Sequence, residues 1–318
     1  MPPARPGEFE LIARLTERIK GPLPPGTVGI GDDCAAVPQG DGYLLLTCDS
    51  AVAGRHFLPG LTPMADVGWR IATANVSDVC ACGGLPTQAL ISLALPPEQS
   101  LTELDALYDG LAEAAAAYGF QVVGGNVTGA DTLMVDIFML GLAPRFIPRS
   151  GARPGEYVVV SGPLGDSAAG LEALREGSDS PEALALRARH LRPRARTDLV
   201  PLLQDVAGAA IDISDGLAAE LHHMARQSAV RLAIQGDEVP RSPELEAHAR
   251  GRGEEPLVRA LSSGEEYALL FTMAPAHLDR LEGTGARVIG EVQEGEGVLL
   301  DGQPLPPAGW DHLRSPRE

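Results

Sequence analysis

The residues in this chain that could do chemistry are aspartates gathered beside glycines and at the ends of apolar runs. Gly29-Ile-Gly-Asp32-Asp33 is a glycine-rich loop, and Thr47-Cys48-Asp49 closes the apolar run Leu44-Leu45-Leu46. Ile211-Asp212-Ile213-Ser214-Asp215-Gly216 leads from an apolar segment into a helix. Between these, Asn75 and Asp78 stand three residues apart and share one helix face. Taken singly, an aspartate beside glycine is as readily a turn or cap residue. Two carboxylates about 4 Å apart repel by roughly 4 kcal/mol at an effective dielectric near 20. A fold that gathers several therefore needs compensation, and hard oxygen donors suit Mg²⁺. Phosphoryl transfer is the chemistry such a cluster serves, because metals there bridge phosphate oxygens and offset charge.

The rest of the composition narrows the choice. The chain has 318 residues and a formal net charge of −18, which excludes the basic footprint of a nucleic-acid binder. Lys20 is the only lysine, and no glycine precedes it in Walker spacing, so neither a Walker loop nor a protein-kinase strand lysine is available. If ATP is handled, another cation must meet its phosphates. Arg149 offers a planar phosphate contact, or is solvated surface. Gly124-Gly125-Asn126, placed after a strand, lets backbone N–H groups approach a nucleotide, or forms a plain turn. Cys34, Cys48, Cys80 and Cys82 make no paired zinc framework and read as small thiols in or near packed structure. Apolar runs are too short to span a bilayer, and the first residues lack the apolar segment of a signal peptide. The expectation is a cytoplasmic protein with no membrane or nucleic-acid partner.

The elements that would position these residues alternate along the chain. Phe9, Ile12, Leu15 and Ile19 mark a helix over about 8–20, and Tyr43 to Thr47 a short strand. A helix over 64–82 ends near Gly83-Gly84, and Thr87 to Leu95 is a strand. Ser100 reads as an N-cap with Glu103 as its capping-box partner, for a helix stopping at Gly119. Strands follow at 120–123 and 132–142. The turn-rich stretch Pro144 to Gly155 is the expected junction between domains 1–145 and 146–318. Beyond it, a strand over Tyr157 to Ser161, a helix from Gly165, a buried strand over Ala209 to Ile213 and a helix from about Gly216 are expected. Further strands are placed at 267–273, 286–292 and 298–300. The fold class is α/β (α+β), with mixed sheets and flanking helices.

Several motifs together resemble a known family. Gly29-Ile-Gly-Asp-Asp-Cys-Ala, Thr47-Cys-Asp49 with Gly54-Arg-His56-Phe57, Asn75-Val-Ser-Asp78, Ile211-Asp-Ile-Ser-Asp-Gly-Leu217 and Ser263-Gly-Glu-Glu-Tyr267 occur in the order seen in thiamine-monophosphate kinases. The resemblance runs from Gly7 to Trp310. It implies a two-domain fold like aminoimidazole ribonucleotide synthetase, a homodimer formed through the N-terminal domains, ATP as co-substrate and several Mg²⁺ ions. It also implies metal-ligand positions at Asp32, Thr47, Cys48, Asp49, Asp78, Asn126, Asp212 and Asp215, with Asp49, Asp78 and Asp212 central to catalysis. Tyr108, Gly125, Asn126, Arg149 and Ser214 fall at nucleotide positions, and His56, Glu265 and Trp310 at thiamine-phosphate positions.

The chain departs from the family pattern in places. Cys48 stands where the family commonly has Thr, Asn126 where many members have Asp, and Ser263 and Glu266 where Gly and Asp are usual. The implied activity is direct in-line transfer from ATP to thiamine monophosphate. The alternatives are another ATP-using synthetase on the same scaffold and a non-catalytic metal-binding protein.

Overall fold

The structure is a computed structural model and describes residues 7–19 and 21–310. Lys20 lies outside the described residues.

Helix α1 (Glu8–Thr16) opens the chain. Its apolar positions Ile12 and Leu15, with Ile19 beyond it, remain exposed. Strands β1 (Ala35–Gln39) and β2 (Gly42–Val52) form an antiparallel hairpin. They are followed by α2 (Met64–Ala81), β3 (Leu85–Leu95), α3 (Leu101–Tyr118), β4 (Gln121–Gly129) and β5 (Met134–Ala143). The first sheet runs β1-β2-β5-β3-β4, with only the β3–β4 pair parallel.

The second half contains β6 (Tyr157–Val160), α4 (Asp166–Glu176), α5 (Pro181–Leu191), α6 (Val200–Val206), β7 (Ala207–Asp212), α7 (Leu217–Ser228) and β8 (Arg231–Ile234). It continues with α8 (Pro243–Arg252), α9 (Pro256–Ser262), β9 (Leu269–Met273), β10 (Arg287–Gln293), β11 (Gly297–Leu300) and β12 (Gln303–Pro304). These strands form a seven-stranded sheet, β12-β11-β8-β10-β6-β9-β7, in which β8 and β11 are the parallel pair. Both sheets are mixed and both carry flanking helices.

Helix α2 is the structural pivot. Val67, Ile71, Ala72, Val76, Val79 and Cys80 are buried, and so are its polar residues Arg70, Thr73, Asn75 and Ser77. A helix buried on all sides belongs in a core. This one packs on β2, β3 and β5 and also reaches β7 and β9, so one apolar cluster joins both sheets. Against its outer side, α3 comes unusually close. A Cβ at Gly68 would lie 2.2 Å from the Leu107 carbonyl oxygen, and one at Gly110 1.8 Å from that of Ala65. Glycine at both positions permits that approach.

Four expectations about local structure are corrected. Strand β2 continues to Val52, so Thr47, Cys48 and Asp49 lie inside it rather than at its end, because β5 pairs with it along that whole length. Gly124, Gly125 and Asn126 form no loop; they lie within β4, where Gly125 lets the strand press on the Ile91 carbonyl. The strand expected at 267–273, which follows α9, starts only at Leu269, since Glu265 (φ 56°) and Tyr267 (φ 52°) are left-handed and break the extended run. The Ser100 cap forms, with the Glu103 N–H donating at 3.5 Å, but the Glu103 carboxylate takes Gln99 rather than closing a box.

Candidate active site

The aspartates converge where α2 passes between the sheets. Carboxylate oxygens of Asp33, Asp78 and Asp212 all lie within 4.8 Å of one another. Asp33 comes from the glycine-rich loop before β1, Asp78 from α2 and Asp212 from the end of β7. Neither Oδ2 of Asp33 nor Oδ2 of Asp212 has a hydrogen-bond partner, although both are buried. Burial, the mutual repulsion of Asp49, Asp212 and Asp33, and little else push the Asp78 carboxyl far above the usual range. Burial first, then Asp33, does the same to Asp212. Unpaired buried carboxylate oxygens in a crowd of like charge are costly, and such oxygens are ligands for a hard divalent cation.

Neighbouring side chains fix this arrangement. The Thr47 hydroxyl donates to Asp78 at 2.6 Å. Asn75, one α2 turn earlier, accepts the Asp49 backbone N–H at 3.3 Å and donates to the Ile71 carbonyl at 2.9 Å. The alternation of β2 aims Thr47 and Asp49 at α2. Asp32 accepts the Arg149 backbone N–H at 3.1 Å, and the Arg149 guanidinium is paired with Asp33. Burial and Asp33 raise the Asp32 carboxyl to about 6 despite those contacts. The glycine-rich loop is further tied to α7 by Gln227, which donates to the Gly31 carbonyl at 2.9 Å.

The Ser214-Asp215 loop borders the cluster. The buried Glu220 carboxylate accepts the Asp215 backbone N–H at 3.1 Å. That loop also holds two of the residues expected at the acceptor. The Ser214 carbonyl accepts from the Glu265 N–H at 2.7 Å, and the Asp215 carbonyl from the Trp310 N–H at 3.1 Å. Trp310 is 40% exposed. Partial burial alone would raise Glu265, but Arg70 at 2.6 Å, with His190 and His56, holds it below the usual range. His56 also accepts the Val52 backbone N–H at 3.0 Å.

Four expected positions are not drawn into the cluster. Cys48 points away from Thr47 and Asp49, onto the exposed sheet face opposite Phe138, as strand alternation requires. Asn126 lies on exposed β4 in register with Ser92, and Gly125 beside it. Tyr108 is 42% exposed on α3. Sequence reasoning, in turn, passed over Asp33, which stands at the centre while its neighbour Asp32 was singled out. It also missed Ser77, whose hydroxyl donates to the Tyr267 carbonyl at 3.5 Å, and Arg70 and Glu220. The doubled acid of Asp32-Asp33 and an acid in the first turn of the helix after Ser-Asp-Gly were the available signals.

Comparison with known proteins matches this architecture. The family model described as AIR synthase related protein, N-terminal domain, matches residues 31–143, and its C-terminal counterpart matches residues 153–301. The thiamine-monophosphate kinase of Aquifex aeolicus is 43% identical over 313 residues, covering 96% of this chain and 98% of the relative. That of Escherichia coli (strain K12) is 36% identical, covering 98% and 99%. The solved structure described as AaThiL complexed with AMPPCP and TMP superposes with a TM-score of 0.91 at 42% identity, covering 96% and 97%. The hydrogenase maturation protein HypE of E. coli, at 22% identity and a TM-score of 0.69, shares the fold alone. With near-full-length identity at this level, the chain belongs to the thiamine-monophosphate kinase family.

Proposed function

We propose that the protein transfers the γ-phosphoryl group of ATP to thiamine monophosphate, giving thiamine diphosphate and ADP. The observation that carries this reading is the meeting of Asp33, Asp78 and Asp212 from three elements, with buried oxygens left unpaired. The relatives' names and the AaThiL complex with AMPPCP and TMP support the choice of substrates.

In this reading Asp32, Asp33, Asp49, Asp78, Asp212 and Asp215 hold Mg²⁺, with Thr47 and Asn75 orienting Asp78 and Asp49. When bound, the ions supply the charge neutralisation that lets two polyanions approach. The protein's side chains hold the geometry. Arg149 presents a guanidinium whose planar donors match phosphate oxygens, and Ser214 lies exposed on the loop after β7. Tyr108, Gly125 and Asn126 complete the nucleotide site. His56, Glu265 and Trp310 receive the acceptor: Glu265, kept ionised by Arg70, offsets the thiazolium charge, and the Trp310 ring stacks on it. The acceptor phosphate, with a second pKa near 6, is mostly a dianion at pH 7 and needs no general base. Transfer is direct and in-line.

The proposed division is 1–145 for the metal and nucleotide site and 146–318 for its completion. The proposed assembly is a homodimer through the first sheet. Leu46, Leu90, Phe138 and Leu142 stay exposed on the face of that sheet opposite α2, an apolar surface of the kind that marks an interface. The proposed location is the cytoplasm, where four free thiols persist. No helix among the described residues is long and apolar enough to cross a membrane.

The test is ADP release from ATP and Mg²⁺, with thiamine monophosphate against thiamine as acceptor. Release dependent on the monophosphate supports the reading. Release with neither leaves the chain a metal-binding protein, and release with other acceptors alone makes it a different ATP-using enzyme.

A further inference from the structure

Beside the oxygen cluster lies a second, chemically different group. The Cys82 sulfur and carboxylate oxygens of Asp32 and Asp33 all lie within 4.8 Å of one another. Cys82, the residue that caps α2, donates to Asp32 Oδ1 at 4.0 Å. Its other neighbour is Cys34, directly after the Asp pair, and each thiol acts on the other electrostatically. Both cysteines are fully buried, with no disulfide between them. The Asp33 side chain is 1% exposed and its Oδ2 has no partner.

The Cys82 thiol and two carboxylates from a second segment make a mixed sulfur–oxygen donor set, and the buried Cys34 thiol beside Cys82 can supply a further sulfur. Mg²⁺ has no use for sulfur, whereas Zn²⁺ and Cd²⁺ take thiolate and carboxylate together in four-coordinate sites. We propose that Cys34, Cys82, Asp32 and Asp33 form a binding site for a thiophilic divalent cation of the Zn²⁺ and Cd²⁺ class. Binding replaces both thiol protons: one M²⁺ enters, two S–H bonds become two M–S bonds, and two protons leave to solvent. Arg149, already paired with Asp33 and 3.8 Å from Asp32, stays as the outer counter-charge.

Asp33 belongs to both groups. A thiophilic cation in the sulfur site therefore withdraws a donor from the oxygen site. Resting on the kinase reading above, this makes the sulfur site an inhibitory one, in which Zn²⁺ or Cd²⁺ at low concentration opposes Mg²⁺.

The test uses the full, reduced, metal-free chain titrated with Cd²⁺, read by the ultraviolet thiolate-to-cadmium charge-transfer band. One equivalent should bind, with band intensity for two thiolates. Cys82→Ala and Cys34→Ser should each halve the band and weaken binding at least about tenfold, whereas Cys48→Ser and Cys80→Ser should leave both unchanged. Asp32→Asn keeps the thiols and should weaken binding by a similar factor. Melting curves confirm that each variant is folded. Absence of the band, or an unchanged band in folded Cys34→Ser/Cys82→Ala, overturns the proposal. A band that survives intact while Mg²⁺-dependent ADP release is unaffected by Cd²⁺ overturns the inhibition alone; loss of ADP release with every acceptor bears on the kinase reading and leaves the cadmium result standing.

Discussion

Two regions of this molecule are dense in charge, and they handle it in opposite ways. On the outer helices α4, α8 and α9, Glu172 meets Arg259 at 2.5 Å and His248 at 3.4 Å, while Arg252 meets Glu176 and Arg259 meets Glu254. Every acid there has a basic partner and a share of solvent. Between the sheets, Arg149 pairs with Asp33, and buried oxygens of Asp33 and Asp212 have no hydrogen-bond partner. The outer network is complete without a ligand; the inner one leaves charge for something else to meet. That difference, rather than the number of acids, separates a functional cluster from a solvated surface.

Asp78→Asn tests the contrast most directly. Turnover should fall roughly 100- to 1,000-fold, the scale of losing one electrostatic contact at a transition state. Melting in chelator should hold or rise, because a repelled buried charge has been removed. Near-normal turnover would break the comparison.

Buried sites here refuse charge of either sign, and acid should show it. Burial first, then Arg70 for His190 and Arg149 for His223, lowers both imidazoles to about 4. The unfolded chain, with an ordinary value of 6.5, binds more protons in between. Stability is therefore full above about pH 6.5 and is lost as pH falls toward 4, by about 3 kcal/mol for each histidine. Chemical denaturation across that window measures it, and His190→Gln should flatten the slope.

Mg²⁺ should stabilise the folded protein by about 2.7 kcal/mol at a hundred times its dissociation constant. Asp32, raised to about 6 from 3.8, makes the metal-free folded state the better proton binder. Its stability therefore drops as pH rises from about 4 to 6, and metal restores it. The Mg²⁺-induced melting shift should be larger at pH 7.5 than at pH 5.5; equal shifts would place the ion elsewhere. The smallest effect belongs to the outer network. Glu172→Gln should cost less than about 1 kcal/mol and leave ADP release unchanged.

Much of this was legible in the chain itself. Pattern and capping placed α2, β3 and α3 to within about two residues and gave the start of α7, and the Asp-bearing motifs lie where they can meet. What escaped has physical reasons. The extent of β2 and β4 depends on partner strands, which local pattern does not carry. Helices α5, α8 and α9 are short, their apolar positions few. Asp33 and Asp32 are neighbours with equal propensity, and only the turn of the loop decides which carboxylate faces α2. Arg70 carries no local signal, because its role depends on Glu265, far along the chain, adopting a left-handed backbone.

Because α2 is packed into both sheets at once, the two halves share a keel rather than a hinge. Swinging them apart would expose buried apolar side chains of that helix to solvent. Entry and exit of a ligand must therefore run through the rim, along the Gly29–Asp33, Ser214–Gly216 and Ser263–Tyr267 segments, while the central helix keeps its carboxylate still.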